Sequence, residues 1–584
     1  MKINLLILAC TVLMAIVTAG CEQTKVELPT LADGKCATYV GYQSPDPSST
    51  FEVVLCQDKN NLDGTFSLKN KQGKTVAKSD IDGWVYNESN TNMAEVFFWD
   101  TEILGESTVS MQLMEYETFI NLDSGNMIGS IYNENGTVGQ IIGHQQLELI
   151  VDFNDDLALS RIEKLEAKLD KELVDLEFEP NSPMFLETKI TTVKIDKVYF
   201  NRLVSSLDDL DFIEVVENNA IIRLNQEIEN RPYLVSSTSD DDLKKFPNDP
   251  LYQKFQWNMK MIGVEEAWKT STGEGVIVAV IDTGVSDGKG KFGRVPDLKE
   301  TEFVKGYNFV DKNDDPSDGH GHGTHVAGTI AQSTNNKYGT VGIAFNSKIM
   351  PIKVLSDRGF GNVADIAEGI IFAAKSGANV INLSLGGGEY SKVLENAVNY
   401  AHSENVFLAC AAGNGGKPKI EYPAAYDACM AISSVGKAGE LAFYSSYGEG
   451  PNGSRLFLTT PGGDQQADGQ EGGVFQNTIA RGDPTKHGFF PFQGTSMATP
   501  HVAGAAALVI QALGVGDYEV EDVESLLAET STDKGSSFKY GEGLLNVAEA
   551  IGGADKKAES SNVFLIILAT MLAFGTAILV KVTG

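Results

Sequence analysis

Beyond Pro247, short apolar runs recur between helical segments: Val276 to Ile281, Ser347 to Val354, Val380 to Leu383, Val406 to Cys410 and Met430 to Val435. Runs of this length without polar alternation suit strands buried on both faces of a parallel sheet. Val363 to Lys375 has helical spacing and is closed by Gly377, a helix-stop signal. The pattern predicts a doubly wound α/β domain over residues 247–551. Residues 146–226 read instead as strand, helix, strand, strand, helix, strand: Leu147 to Val151, Leu157 to Leu169, Leu176 to Phe178, Lys189 to Ile195, Val198 to Leu207 and Ile213 to Leu224. Two amphipathic helices on one antiparallel sheet, an α+β unit, suit that order. Residues 21–145 carry β-branched and aromatic runs (Phe51 to Leu55, Ala94 to Trp99, Thr118 to Leu122) between Asn, Asp and Gly clusters. They predict a small all-β domain without a cluster of catalytic residue types.

The two ends carry export and membrane signals. Lys2, the apolar run Leu5 to Val17 and small residues up to Gly20 make residues 1–20 a secretory signal. Small residues leading into Cys21 resemble a bacterial lipoprotein signal, which would place a lipid on Cys21. Residues 563–580 are an uncharged apolar run whose only hydroxyls are Thr570 and Thr576, the pattern of a transmembrane helix. Residues 552–562 read as a tether and 227–246 as a polar linker, with Val235 to Asp242 nearly free of apolar residues. The expected protein is exported and anchored facing outward.

Charge narrows the partners. With 46 basic and 79 acidic side chains the net charge is −33, which argues against nucleic acid and anionic lipid headgroups. Six cysteines are too few for a disulfide scaffold. Cys36 and Cys56 form a plausible bridge, whereas Cys410 and Cys429, in apolar segments, either pair or fill core space as small hydrophobes, the second reading being favoured.

Acyl transfer needs an activated hydroxyl, a base, a group orienting that base and donors for the developing oxyanion. Asp282 follows an apolar strand in Val280-Ile281-Asp282-Thr283-Gly284, at the end where open α/β sheets place their sites. His322 opens His322-Gly323-Thr324-His325-Val326-Ala327-Gly328, and Ser496 stands in Gly494-Thr495-Ser496-Met497-Ala498-Thr499-Pro500, both at glycine-led starts of apolar helices. A helix amino terminus there favours an oxyanion. Asn414, in Ala412-Gly413-Asn414-Gly415, offers a side-chain amide.

In motif and in the order Asp, His, Asn, Ser, residues 247–551 resemble the subtilase family of serine proteases. The resemblance implies Ser496 as nucleophile, His322 as general base, Asp282 as orienting carboxylate and Asn414 as oxyanion donor. It also makes His325, one turn further on, structural. Peptide substrates would lie along Ser384, Leu385 and Gly386 as an added strand, with Glu421 at the floor of the primary specificity pocket, favouring Lys or Arg before the scissile bond. Asp297 and Asn336 match a family calcium loop, while the acidic stretch Asp311 to Asp318 reads as a solvated loop.

The α+β unit at 146–226 is similar to subtilase propeptides, which assist folding and then inhibit. Self-cleavage would fall between Leu224 and Pro247, with the bond after Lys244-Lys245 a candidate that releases a chain starting at Phe246. A competing reading makes the all-β domain a binding module that the protease fold merely presents; loss of function on mutating Ser496 separates the two.

Overall fold

The computed structural model describes the strand backbones between residues 36 and 147. From 148 to 558 it also describes side chains, except at 173–176, 197–198, 208–209, 225–244, 451–452, 454–456 and 482 and at isolated flanking positions. The signal, Cys21, the linker core and the apolar run 563–580 lie outside the described residues.

Eight antiparallel strands come first: β1 (Cys36–Ser44), β2 (Thr50–Asp58), β3 (Asn61–Lys69), β4 (Thr75–Asn87), β5 (Met93–Leu104), β6 (Glu115–Asn121), β7 (Asn126–Asn133) and β8 (Gly136–Phe153). Each pairs with the next, and β1 also pairs with β8, so the all-β domain closes into an up-and-down ring without a free edge. Cys36 stands opposite Cys56 in the β1–β2 register.

No break falls at residue 145, because β8 runs through it into the next unit. There it pairs with β10 (Ile190–Asp196) and β11 (Ile213–Asn218), and β10 pairs with β9 (Glu177–Pro180). Helices α1 (Leu159–Glu172) and α2 (Phe200–Leu207) cover one face. The alternation of β8 explains the division: Leu149, Val151 and Phe153 pack with Leu165, Leu169, Leu203 and Leu207, while Ile150 faces the opposite way into the core of the parallel-sheet unit. The single strand expected over Ile213 to Leu224 is two. It turns at Asn219-Ala220, and β12 (Ile221–Arg223) leaves the sheet altogether.

The third unit holds β13 (Ile277–Asp282), β14 (Glu302–Phe303), β15 (Tyr307–Asn308), α3 (His322–Ala331), β16 (Lys348–Lys353), β17 (Phe360–Asn362), α4 (Val363–Lys375) and β18 (Val380–Leu383). It continues with α5 (Lys392–Ser403), β19 (Phe407–Ala411), β20 (Met430–Val435), β21 (Leu458–Pro461), the hairpin β22 (Val474–Ala480) and β23 (Asp483–Phe492), α6 (Thr495–Leu513) and α7 (Val520–Glu529). The parallel sheet has the order β14-β16-β13-β18-β19-β20-β21, with β15 beside β16. Chain order reverses across β13, which makes the crevice above β13 and β18 the switch point where such sheets bind ligands. Val278 and Val280 enter one core and Ala279 and Ile281 the other, which is why β13 reads as an unbroken apolar run.

Among the described residues α6 alone is long and apolar enough to cross a membrane, and most of it is buried inside the protein as a core helix. Cys410 and Cys429 are not separate core hydrophobes. They form a disulfide with Cα atoms 5.8 Å apart, because the start of β20 pairs alongside the end of β19.

Candidate active site

Asp282 ends β13, Ser384 follows β18, and Asn414 follows β19 by three residues. All three therefore emerge at the carboxyl edge of the sheet. His322 is the first residue of α3 and Ser496 the second of α6. Asp282 is 0% exposed, His322 1% and Ser496 6%.

The His322 Nδ1–H group donates to Asp282 at 2.7 Å to Oδ1 and 2.9 Å to Oδ2. A carboxylate shielded from water on one ring nitrogen fixes the imidazole's orientation and tautomer. The approach depends on Gly323: a Cβ there would lie 2.2 Å from Gly284 O and 3.1 Å from Asp282 Oδ1, so any other residue would push α3 off the β13 turn. Its amide donates to Thr283 Oγ1 at 3.0 Å. The Thr283 hydroxyl donates to Asp318 at 3.0 Å. Asp318 is fully buried and also accepts from the amides of His320, Gly321 and Thr324. The acidic stretch 311–318 is thus solvated only in its first part. Its last carboxylate is a brace, because α3 has backbone donors to satisfy at its start.

Pro500 shapes the other side. It has no N–H to give the carbonyl four residues back, and that carbonyl, Ser496 O, accepts instead from Ser384 Oγ at 2.8 Å. The hydroxyl of Ser384 in turn accepts from Asn382 Nδ2 at 2.9 Å. Asn414 Oδ1 accepts from both N and Oγ1 of Thr495 at 2.9 Å, which turns its amide nitrogen the other way. The Cβ that Gly494 lacks would lie 3.6 Å from both Asn414 Nδ2 and Ser496 N, so these two donors flank one small space.

His325 is elsewhere. Its Nε2–H donates to Val474 O at 2.9 Å and Phe490 O at 3.1 Å, and burial pushes its pKa down to about 3. A ring held neutral on two carbonyls pins the β22–β23 hairpin, a structural role.

Two residues beyond Ser384, Leu385 and Gly386, Gly388 forms one wall around a segment of the preceding unit, and β17 forms the other. Between them lies β12, antiparallel to β17, with Ile222 opposite Gly361 and Leu224 N donating to Gly359 O at 2.9 Å. Ile222 reaches the far wall, 3.4 Å from where a Gly388 Cβ would be. A Cβ on Gly359 would sit 3.3 Å from Leu224 and 3.5 Å from His320 Nε2. β12 is thus an added strand on β17, ending where Leu224 and His320 both approach Gly359.

Glu421 points inward beside Asn414. A Cβ on Gly413 would lie 2.4 Å from its carboxyl carbon, and one on Gly387 3.7 Å from Oε2. Its Oε2 is buried without a hydrogen-bond partner among the described residues, and burial raises its pKa against the opposing pull of Lys419 and Lys417.

Asp297 and Asn336 also meet: Asn336 Nδ2 donates to Asp297 Oδ1 at 2.9 Å, and Thr340 N to Oδ2 at 2.9 Å. The structure adds Asp249, whose carboxylate accepts from Asn335 N at 2.7 Å and Asn336 N at 3.4 Å. Burial raises both carboxyl pKa values, that of Asp249 to about 6, and the two charges repel. Among the described residues no three His, Cys, Asp or Glu side chains gather. Two buried carboxylates that repel each other are hard oxygen donors of the kind calcium takes, while Asn336 turns its amide nitrogen to Asp297 and its oxygen to Tyr338 N. Asp249 escaped the sequence reading because it lies 48 positions before Asp297 and meets it only through the fold.

A family model for the subtilase family, Peptidase_S8, matches residues 273–543. A thermophilic serine proteinase of Bacillus sp. (strain AK1) is 39% identical over 296 residues, 50% of this chain and 67% of that protein. An alkaline protease of Alkalihalobacillus alcalophilus is 33% identical over 427 residues, 71% of this chain and 98% of that protein. The chain belongs to the subtilase family. As a subtilase it is a subtilisin-like serine endopeptidase with an α/β fold, and its substrates are proteins. The match to the alkaline protease covers about 415 of 584 residues, so it begins no later than about residue 170 and takes in most of the unit formed by β8 to β12.

Proposed function

We propose that the chain is an exported, membrane-anchored zymogen that cleaves peptide bonds with Ser496, His322, Asp282 and Asn414 and is held inactive by its own residues 146–226. The observation that carries this reading is the buried Asp282–His322 pair at the carboxyl edge of the sheet, with β12 lying in the groove that leads to it.

In this mechanism Ser496 Oγ attacks the carbonyl while His322 takes its proton and then passes it to the leaving amine. Asp282 holds the imidazole tautomer and stabilises the imidazolium. The Ser496 amide and Asn414 Nδ2 receive the oxyanion, and because Thr495 already fixes Asn414 Oδ1, the donor needs no reorganisation during the reaction. Water then cleaves the acyl-enzyme by the same steps in reverse.

Substrate backbone pairs along Ser384 to Gly386 and β17, as β12 does. The unpartnered Oε2 of Glu421 suits a cationic side chain before the scissile bond, since a buried carboxylate lacks compensation until one enters. Self-cleavage falls between Leu224 and Pro247, and the bond after Lys244-Lys245 offers the Glu421 pocket a basic residue. The residue 146–226 unit also serves as a folding template, because a sheet with so many non-local pairings is slow to form alone. Asp297, Asn336 and Asp249 would hold a structural calcium ion that neutralises their crowded carboxylates. Residues 563–580 would span a membrane, with a lipid on Cys21 as a second anchor.

A fluorophosphonate probe should label the wild type, which should also be shortened, whereas Ser496→Ala should stay long and unlabelled; an unlabelled, full-length wild type overturns the reading. Asn414→Ala should lower kcat by about 10²–10³-fold. In a peptide library read by mass spectrometry, Glu421→Gln should lose an enrichment for Lys and Arg before the cut, and equal profiles would discard that pocket assignment. Chelation of calcium should lower the melting temperature of the wild type but hardly that of Asp297→Asn, whose site has lost a charged ligand.

A further inference from the structure

The face that residues 146–226 turn toward the protease is acidic, and so is the face they meet. From the inhibitory unit come Glu148 and Asp152 of β8 and Glu217 of β11; from the protease come Asp365 and Glu368 of α4. Glu368 is fully buried, and Asp365 and Asp152 nearly so. Neutral donors of the inhibitory unit bridge the gap. Asn181 Nδ2 donates to Glu368 Oε2 at 2.6 Å and to Asp365 Oδ1 at 3.3 Å, and the Thr188 hydroxyl to Glu368 Oε1 at 3.1 Å. Glu217 accepts from the first amides of α5, Lys392 N at 2.9 Å and Val393 N at 3.3 Å.

Few cations offset this cluster. Asp152 faces Glu214 and Glu217 from β11, Asp155 from its own turn and Glu368 from α4, all carboxylates. Asp365 faces Glu368 and Glu148, with amide groups of Asn181 and Asn362 as its donors. Lys312 is near Glu148 and Glu368, and Lys194 near Glu148, beside Glu179. Lys189 and Lys375 act on Asp155, and Lys375 is also paired with Glu187 at 2.5 Å.

We infer that docking of the inhibitory unit is coupled to protonation of this buried carboxylate cluster, so that the protease is locked at acidic to neutral pH and released as the medium becomes alkaline. The inference rests on the reading of residues 146–226 as an inhibitor. Separation of the two faces returns these carboxyls to water, where they ionise near their ordinary values. Docked, burial and then mutual repulsion raise them, Asp152 to about 8 and Asp365 to about 7. A pKa raised in the docked state means that docking takes up protons. The docked state is favoured in full below the free carboxyl values near 4 and loses that favour as pH rises toward 8. Each proton carried changes the docking constant about tenfold per pH unit below the docked pKa, so the one on Asp152 alone gives roughly a fiftyfold weakening from pH 6 to pH 8. The bridging donors fit the protonated state, in which a carboxyl shares hydrogen bonds without bringing a second charge.

The test uses the whole exported chain and its Asp152→Asn form. Residue 152 leaves with the inhibitory unit, so both chains yield the same mature enzyme, and any difference in onset of peptide hydrolysis comes from docking. The wild type should show a lag that shortens more than tenfold between pH 6 and pH 9. Asp152→Asn should show a lag that varies several-fold less between pH 6 and pH 9 than that of the wild type, since Asp365 still titrates, and Asp365→Asn should move the same way, as a check that does not depend on how well the first variant folds. A lag with the same pH dependence in all three chains overturns the coupling alone. Full activity from the first moment at every pH overturns the inhibitory reading and the coupling with it.

Discussion

Everything at the cleft depends on one buried contact, the bond between His322 Nδ1 and Asp282 across 40 positions of sequence. An ionised carboxylate is stable away from water only if its partners stay in place. The fold supplies that constancy by building each partner into a rigid element. Asp282 ends a strand packed on both faces, and His322 begins a helix whose first turn is braced by Asp318 and Thr283. The same logic governs Ser496, whose carbonyl is freed by Pro500 and held by Ser384. The site is thus the rim of the packed core, and its precision comes from the core's rigidity.

The same cleft explains why a segment of the chain upstream of the protease can fill it. Open backbone groups on β17 invite an added strand, and β12 supplies one, joined by a single turn to a sheet that packs on α4 and α5. Strand β8 then continues into the eight-stranded ring, so the sheet of residues 146–226 and that ring share a continuous element. Removal of residues 146–226 from the cleft would therefore carry the ring away with them, which places the ring's influence on the precursor.

Much of this was legible in the sequence for definite reasons. Parallel strands buried on both faces leave unbroken apolar runs, and Val363 to Lys375 matched α4 because Asn362 caps it and Gly377 follows it. The Asp, His, Asn, Ser order is a property of the chain itself. What escaped depends on contacts between distant segments. The pairing of Cys410 with Cys429 follows from the register of β19 with β20. The turn at Asn219 exists because Asn219 Oδ1 accepts from Ala364 N of α4 at 3.0 Å, and Asp249 joins Asp297 only once the loop at 335–340 folds between them.

The central claim is that Asp282, His322 and Ser496 act as a single unit, and the most direct test is kcat for Ser496→Ala, His322→Ala and the double variant, each processed in trans by the wild type. A unit is disabled once by the loss of either member, so the double variant should be as slow as each single one, within about twofold. A double variant slowed by the product of the two single losses would show independent contributions and contradict the account.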